Sequence, residues 1–395
     1  MSELVLIVVA IFLMIGAITG ETYLLVLGYL IAGAYLLARW WPGHSLKNLS
    51  ARRDFPDHVF PDEVIPVQIT IKNHSILPVV WLAIRDLHPI DLSDVHTFKQ
   101  VITLSPKKTL HLKYFLKANH RGYFPIGPMT LETSDLFGWT NPIHSGIPAS
   151  FLTVYPTVIP LRNPFLPSNS PIGLLAHTQP LYEDPNRVVG KRDYQQGDPL
   201  RKVDWKATAA QQKIQVKTYE PSTDLETVVF LNLDTEAYHP RSRFDGPELA
   251  IVTAASIAAW SVKKRQAVGL ITNGLDILNQ TGQIRPIAPR KGKQHLMRLL
   301  ELLARVKTLS SPDLDLNQMI NHYRQELGWG TTLFVLTGAV DESLIHELRV
   351  TQRMGLKPII ILCGWFVELK VPIQNGLAFE IPVRILNTEE DLKAW

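Results

Sequence analysis

The chain lacks the residues that mark several large classes of protein. Its 395 residues include one cysteine, Cys363, so no disulfide can form within the chain. The formal net charge of +4 is too small for the dense basic surface of a nucleic-acid-binding protein. The 13 histidines show no zinc-ligand spacing. Neither phosphate-binding glycine motif, G-x-x-x-x-G-K-[ST] or G-x-G-x-x-G, occurs. We therefore expect no nucleic acid, zinc or nucleotide to be bound.

The first 38 residues are almost without charge, since their only acidic or basic side chains are Glu3 and Glu21. Two apolar runs, 4–20 and 22–38, would each form about 25 Å of helix, near the lower limit for crossing a bilayer. Glu21 lies in the short break between them. We predict that residues 1–41 form a two-helix transmembrane hairpin. One long tilted helix and a re-entrant loop are the alternatives.

The charges around this anchor predict its orientation. A cleavable signal peptide needs a basic start, which the chain lacks. Four basic residues follow the second run before any acidic one, and by the positive-inside rule they stay in the cytoplasm. These residues are Arg39, Lys47, Arg52 and Arg53. We expect a two-pass protein of the inner membrane whose N-terminus and soluble domains face the cytoplasm.

Residues 50–156 have the pattern of β-structure. Residues 64–71 and 109–115 alternate between apolar and polar side chains, and residues 79–84 and 129–133 are rich in β-formers. We predict an antiparallel β-sandwich of immunoglobulin-like type. An all-β module of another topology is the alternative. Residues 157–186 are rich in proline and predict an extended linker.

Residues 225–395 alternate between predicted strands and helices, which indicates a doubly wound α/β domain with a parallel sheet. Ligands of such sheets bind beyond the carboxyl ends of the strands, where Asp234, Asn273, Thr337 and Gly364 lie. The predicted strands are 227–233, 267–272, 331–336, 358–362 and 381–386. The predicted helices are 247–264, 294–306, 316–327, 342–354 and 389–395.

The segment 187–224 concentrates charged and aromatic residues without a helical or strand period. Gly197 and Asp198 predict a turn, and Asp198 with Pro199 predicts a helix start. Such a cluster could form a buried ion-pair network, an arginine-based anion site or a docking surface. The candidate residues are Arg192, Asp193, Tyr194, Gly197, Asp198, Arg201, Asp204, Trp205, Lys206, Lys217 and Glu220.

This segment resembles the bacterial domain of unknown function 58 family, whose pattern is R-x-Y-x-x-G-D-x-x-R-x-I-x-W-x-x-[ST]-A. The residues in register are Arg192, Tyr194, Gly197, Asp198, Arg201, Val203 in place of Ile, Trp205, Thr208 and Ala209. Upstream, residues 121–123 with Gly127 and Pro128 are similar to a strand pair of the family. Residues 134–138 are similar to its D-P-F-G-L turn, with Leu136 in place of Pro. Paired N-terminal membrane helices also fit the family.

The resemblance implies a C-terminal fold similar to von Willebrand factor A domains and an association with MoxR-type AAA ATPases. It implies no particular reaction. Our leading hypothesis is therefore a membrane-tethered, cytoplasmic-facing adaptor or scaffold. Its A-type domain would bind a protein partner, with a MoxR-type AAA ATPase as the expected one. The sequence does not indicate an oligomeric state.

Two alternatives remain. Cation-dependent adhesion needs D-x-S-x-S after the first strand, and here Asp234 is followed by Glu236 and Tyr238, so Asp234 is a weak Mg²⁺ candidate and we expect no metal site. A hydrolase or transferase would have to use carboxylates such as Asp198 and Asp204. Nearby arginines lower the pKa of a carboxyl group and weaken it as a base, so we expect no catalytic residue here.

Overall fold

The computed structural model describes residues 2–93, 95–135, 142–162, 183–196, 198–221, 226–279, 284–310, 312, 314–365, 368–369 and 381–395. The chain divides into two compact units. The first comprises Met1–Thr157 with Leu300–Arg305, and the second comprises Val158–Leu299 with Val306–Trp395. Most of the predicted linker, residues 163–182, lies outside the described residues.

The first unit begins with two helices, α1 (Ser2–Thr19) and α2 (Thr22–Lys47), that contact each other. The chain turns between them at Gly20, whose φ of +70° lies in the left-handed region that glycine tolerates. Two further glycines allow a close approach of the helices. A Cβ on Gly16 would lie 3.0 Å from the Leu25 side chain, and one on Gly28 would lie 2.8 Å from Leu13.

The second helix is longer than the apolar run that predicts it. It continues through Pro42 to Lys47, past the predicted boundary at residue 41. Among the described residues, α2 is the helix that is long and apolar enough to span a membrane. Residues 3–19 of α1 form a shorter apolar helix. An N-terminal membrane anchor is thus consistent with the length and composition of α2.

Ten strands follow among the described residues of the first unit, and they form three sheets. The sheet orders are β1-β3-β6, β5-β4-β8-β9 and β2-β10-β7. Their pairs are antiparallel except for β2 with β10. A 3₁₀ turn occupies Ile90–Leu92. The strands are β1 (Leu49–Asp54), β2 (His58–Val59), β3 (Val64–Asn73), β4 (Val79–Leu87), β5 (Thr97–Leu104), β6 (Thr109–Lys117), β7 (Gly122–Ile126), β8 (Met129–Thr133), β9 (Ile143–Ile147) and β10 (Ser150–Val154).

All three sheets contribute to one hydrophobic core. In β3 the alternate residues Ile65, Val67, Ile69 and Ile71 are fully buried, as the period of two predicts. Facing strands add residues such as Leu82, Leu116 and Leu152. The prediction of a β-sheet unit after the helices is confirmed.

An ion pair is buried in this unit. Arg53 Nη1 lies 2.6 Å from Asp86 Oδ1, and the two side chains are 1% and 0% exposed. The Tyr114 hydroxyl donates to Asp86 Oδ2 at 2.8 Å. Gly127 has a φ of +109°, and a Cβ there would lie 2.7 Å from Arg53 Nη1, so glycine leaves room for the guanidinium. The charge of Arg53 is therefore compensated by Asp86 within the folded unit.

The described residues from 183 onward form a hairpin with a short helix, and then an α/β sheet. Short 3₁₀ turns occupy Leu200–Lys202, Thr235–Ala237, Pro240–Ser242 and Arg324–Glu326. The strands are β11 (Glu183–Asp193), β12 (Gln215–Pro221), β13 (Glu226–Leu231), β14 (Ala267–Thr272), β15 (Leu275–Asp276), β16 (Ile287–Arg290), β17 (Val306–Lys307), β18 (Thr332–Thr337), β19 (Ala339–Val340), β20 (Lys357–Cys363), β21 (Glu368–Leu369) and β22 (Val383–Leu386). The helices are α3 (Trp205–Gln211), α4 (Asp245–Lys263), α5 (Lys293–Arg305), α6 (Leu316–Tyr323), α7 (Glu342–Arg353) and α8 (Glu389–Lys393).

The main sheet has six strands in the order β16-β14-β13-β18-β20-β22. Five run parallel, and β16 pairs antiparallel with β14 at one edge. Every residue of β14 is buried, as expected for a strand of a sheet covered on both faces. All five strands predicted from the sequence are present. The helix predicted over 316–327 ends at Tyr323 and continues only as a 3₁₀ turn.

Candidate functional site

The motif residues fold into a hairpin that carries a helix. Strands β11 and β12 pair antiparallel, with Arg192 opposite Val216 and Asp193 opposite Gln215. The chain between them forms a 3₁₀ turn and α3. We call residues 190–217 the hairpin–helix segment. The sequence did not predict its strands, because charged residues in β11 and β12 hide the alternating pattern.

Asp198 closes the loop that follows β11. The Arg192 guanidinium donates to both of its carboxylate oxygens, at 2.7 and 2.6 Å. The Gln195 backbone N–H donates to the same carboxylate at 2.9 Å. The hydrogen bond from Arg192, and then the one from Gln195, hold the pKa of Asp198 below its ordinary value. A 3₁₀ turn, and not an α-helix, follows Asp198 and Pro199, and the Asp198 carboxylate accepts from Arg192 and Gln195 without capping that turn.

The α-helix begins instead after Asp204. One oxygen of this carboxylate accepts from the backbone N–H groups of Lys206 and Ala207, each at 3.1 Å. Its other oxygen lies 2.8 Å from Lys191 Nζ. The hydrogen bond from Lys191, and then the one from Ala207, lower the pKa of Asp204. Asp204 thus fixes the start of α3 relative to β11.

A buried glutamine joins the three elements. Gln215 is 3% exposed, and its side-chain amide donates to Asp193. Its backbone N–H donates to Thr208 Oγ1 at 3.0 Å, and that hydroxyl donates to the carbonyl of Asp204 at 2.9 Å. Hydrogen bonds of Gln215 and Thr208 therefore connect β11, α3 and β12 within the segment. The sequence interpretation missed Lys191 and Gln215, because single polar residues carry no local pattern.

Large side chains next to this network face the solvent. Trp205 is 70% exposed and Leu200 is 68% exposed, while Arg201 and Lys206 are also exposed. We call these four residues the Trp205 surface. Tyr194 and Lys217 are half-buried. Gly197 and the side chain of Glu220 lie outside the described residues. An exposed tryptophan flanked by arginine and lysine has the composition of a protein-binding site.

A second candidate site lies at the carboxyl ends of the sheet strands. A cavity of about 200 Å³ is lined by Asn232, Asp234, Asp315, Asn317, Thr337 and Asp341, among others. Asn232 donates to Thr337 Oγ1 at 3.2 Å and accepts from Asn273 at 2.9 Å. The predicted strand-end residues Asp234 and Thr337 therefore both line this cavity, and Asn273 holds Asn232 beside them. Asn232, Asp315 and Asp341 were missed, although an aspartate before a helix is a recognisable cap.

The carboxylates of this cavity already serve as caps. Asp234 accepts from the backbone N–H of Glu236 at 3.0 Å. In the same way, Asp315 accepts from Gln318 at 2.7 Å and Asp341 from Leu344 at 2.8 Å. Across the part of the chain that the structure describes, no group of three acidic, histidine or cysteine side chains is arranged to hold a metal ion. The geometry gives the weak Mg²⁺ candidate Asp234 no further support.

Comparison with curated proteins finds a bacterial relative. The "Uncharacterized protein YeaD" of Bacillus subtilis (strain 168) is 24% identical over 334 residues, which cover 81% of this chain and 78% of the relative.

Two solved structures align with about a quarter of the chain at low similarity. The CARDB domain of the PF1109 protein from Pyrococcus furiosus is 16% identical with a TM-score of 0.21, covering 27% of this chain and 91% of that domain. A Salmonella alpha-2-macroglobulin mutant is 18% identical with a TM-score of 0.22, covering 27% of this chain and 7% of that one.

The family comparison covers the hairpin–helix segment and most of the α/β sheet. Residues 190–359 match the family described as "Protein of unknown function DUF58". The matched region contains the arginine, aspartate and tryptophan of the motif whose geometry is given above. Over residues 190–359, which are less than half of its length, the chain is therefore similar to the DUF58 family.

Proposed function

We propose that this protein is a two-pass inner-membrane adaptor whose cytoplasmic part binds a partner protein through the Trp205 surface. The observation that carries the proposal is the exposure of Trp205 and Leu200 beside a network of paired charges. Tryptophan and arginine are enriched among the residues that dominate binding energy at interfaces. A large aromatic side chain on a rigid support loses little entropy when a partner covers it.

The charges favour an acidic partner surface. Lys191 and Arg192 pair with Asp204 and Asp198 inside the segment. Arg201 and Lys206 are exposed on the Trp205 surface, so they can meet carboxylates at the rim of an interface. We propose a MoxR-type AAA ATPase as the partner, because the family resemblance implies that association.

The same network argues against the hydrolase or transferase alternative. A general base at neutral pH needs a pKa near the working pH. The pKa values of Asp198 and Asp204 are lowered by their donors, so both carboxylates are weak bases. No second function is favoured by the strand-end cavity, since its described carboxylates act as caps.

The proposal extends to the folds of the two units. We propose an immunoglobulin-like sandwich for the strands of the first unit and a von Willebrand factor A-like domain for the second. Alternation of strands with helices and one antiparallel edge strand support the second assignment. In this arrangement the membrane helices position the adaptor at the inner leaflet, and the Trp205 surface recruits the ATPase.

A binding assay with matched variants tests the proposal. The full-length protein in detergent is immobilised, and binding of the purified MoxR-type ATPase from the same organism is measured with and without ATP. We expect Trp205→Ala to weaken binding by about 30-fold or more, which is the loss of one interface hot spot. Trp365→Ala is the control, because Trp365 is 64% exposed and lies outside the Trp205 surface.

The binding results of the two variants show whether the partner contacts Trp205 or Trp365. Loss of binding with Trp365→Ala but not with Trp205→Ala would move the interface to the strand ends and overturn the proposal. No binding by the wild-type protein in either nucleotide state would remove the ATPase as partner. Circular dichroism of each variant checks that the fold is unchanged.

A further inference from the structure

A cavity of about 340 Å³ lies within the first unit, between α2 and the sheet that contains β4 and β8. One wall is a single face of α2, because its residues follow the three- and four-residue spacing of a helix. Residues 78–80 and 133–135 form the opposite wall. The α2 residues are Ala34, Leu37, Ala38, Trp41, Pro42 and Ser45.

The cavity is lined mostly by apolar atoms, and a hydrogen bond joins its two walls. The Trp41 indole N–H donates to the carbonyl of Pro78 at 3.0 Å, which ties α2 to the start of β4. Val79 is 1% exposed, so this part of the opposite wall belongs to the core. The volume of the cavity lies within the range of about 300–1,000 Å³ found for small-molecule pockets, which are lined mainly by apolar side chains.

One polar group lining the cavity is unsatisfied. Ser45 is 0% exposed, and its Oγ has no hydrogen-bond partner among the described residues. A buried hydroxyl without a partner costs free energy, so such a group marks a place where a ligand atom would be stabilised. A carbonyl oxygen could accept a hydrogen bond from the Ser45 hydroxyl. The ligand is thus expected to combine a long apolar part with an acceptor near one end.

The cavity is continuous with the apolar surface of α2. Ala34, Leu37 and Ala38 belong to the uncharged run, and the cavity extends past Trp41 to Ser45. On the same helix Leu36 and Leu37 are 65% and 55% exposed. If α2 spans the bilayer, the tryptophans Trp40 and Trp41 lie at the headgroup level. The mouth of the cavity then opens where the ester groups of membrane lipids lie.

We infer that this cavity binds one acyl chain of a membrane phospholipid, whose ester carbonyl accepts a hydrogen bond from Ser45. The inference rests on the membrane anchoring in the proposed function. The Asp135 carboxylate also lines the cavity. It would repel the carboxylate of a free fatty acid, whereas a neutral ester avoids this repulsion. The bound lipid would hold α2 against the β-sheets.

Photocrosslinking tests the inference on the full-length protein. The protein is reconstituted into phosphatidylethanolamine vesicles that contain a phospholipid with a photoactivatable group on its acyl chain, and labelled peptides are mapped by mass spectrometry. We expect labelling at residues 78–80 and 133–135, which belong to the β-sheet wall and not to the helices. Carbonate extraction of the same vesicles measures anchoring separately.

Three variants sharpen the test. Ala38→Phe fills the cavity and should lower labelling of the sheet wall at least tenfold. Ala10→Phe makes the same change at an exposed position of α1 and should have no effect. Ser45→Ala keeps the cavity and removes the donor, so the amount of co-purified phospholipid should fall about fivefold, the loss of one net hydrogen bond.

The outcomes distinguish the cavity from the anchor. Wild-type protein that resists carbonate extraction but is labelled only on α1 and α2 would overturn the lipid site and leave the anchor intact. Release by carbonate would contradict both. Equal labelling by a photoactivatable free fatty acid would overturn the assignment to an ester. If Ala38→Phe does not fold, an unchanged lipid content of Ser45→Ala would still refute the inference.

Discussion

At the scale of residues, Arg53 and Asp86 have the largest expected effect on stability. Both side chains are buried in the first unit, and Tyr114 also donates to Asp86. Removing one member of a buried pair leaves the other charge without compensation in a medium of low dielectric constant. Burial, and then the nearby Asp86 charge, raise the pKa of the Tyr114 hydroxyl, so it stays protonated as a donor.

We predict that Asp86→Asn lowers the free energy of unfolding of the first unit by about 3–5 kcal/mol. Asp54→Asn is the matched control, because Asp54 pairs with Arg52 at the surface and both side chains are well exposed. An exposed pair contributes about 1 kcal/mol or less. Urea denaturation followed by circular dichroism measures both variants. Equal midpoints would show that the buried pair adds no stability.

The pairing of Arg53 with Asp86 could not be predicted from the sequence. Nothing local indicates that Arg53 turns inward and meets a partner 33 positions away. In the same way, the sequence gives Gly127 only as part of a family-like Gly-Pro pair, and the structure shows that it leaves room for Arg53. Long-range partners of charged residues depend on tertiary packing, which local spacing does not contain.

At the scale of elements, the hairpin–helix segment depends on two ionised carboxylates. Asp198 and Asp204 have folded pKa values below those of the unfolded chain. Their contribution to stability is therefore complete above the unfolded pKa of about 4 and is lost as the pH falls through the lower folded pKa. Near neutral pH the segment should keep one structure.

We predict that the segment loosens reversibly when the pH is lowered from 5 towards 2. The indole NMR signal of Trp205 and the amide signals of residues 190–217 report the change. Asp198→Asn should remove part of the pH dependence, because it eliminates one titrating group and weakens the contact with Arg192. An unchanged spectrum of the wild-type segment down to pH 2 would contradict the role of these carboxylates.

The helix pair offers a test of the close packing at its glycines. Gly28→Leu places a bulky side chain against Leu13, whereas a Cβ at Gly33 meets nothing within 4 Å. We predict that Gly28→Leu reduces disulfide formation between Gly16→Cys and Leu25→Cys severalfold in detergent micelles, and that Gly33→Leu does not. Gel electrophoresis without reductant measures the yield. Equal yields would show that the helices do not pack at Gly28.

Regular elements were predictable where a single period dominates. Strand β8 and strand β14 have the predicted bounds, because their apolar residues fill buried positions. The hairpin–helix segment was not predictable as a fold, because charge pairs and the cap at Asp204 stabilise it in place of an apolar face. The exposure of the Trp205 surface was also not predictable from the sequence. Tryptophan in a sequence predicts burial, and only the structure shows it exposed.

At the scale of the whole molecule, the order of helices, β-sheets and α/β sheet agrees with the sequence prediction, while the topology in the membrane remains a proposal. Helix α2 has 26 residues, about 39 Å, which exceeds the hydrocarbon thickness of about 30 Å. Helix α1 has 18 residues, about 27 Å, and can cross only with little tilt. Glu21 lies at the turn between them and needs a polar environment.

Labelling of introduced cysteines can decide this topology, because the native cysteine should add little background signal. The native Cys363 is buried, and burial raises the pKa of its thiol to about 12, so it should react slowly. Two exposed positions, Glu3 and Glu21, lie at opposite ends of α1. We predict that an impermeant maleimide added to intact spheroplasts labels Glu21→Cys. Glu3→Cys should be labelled only after permeabilisation, because a two-pass hairpin holds both chain ends in the cytoplasm. Labelling of both from the same side would mean that α1 does not cross, and the adaptor would then have a single membrane span.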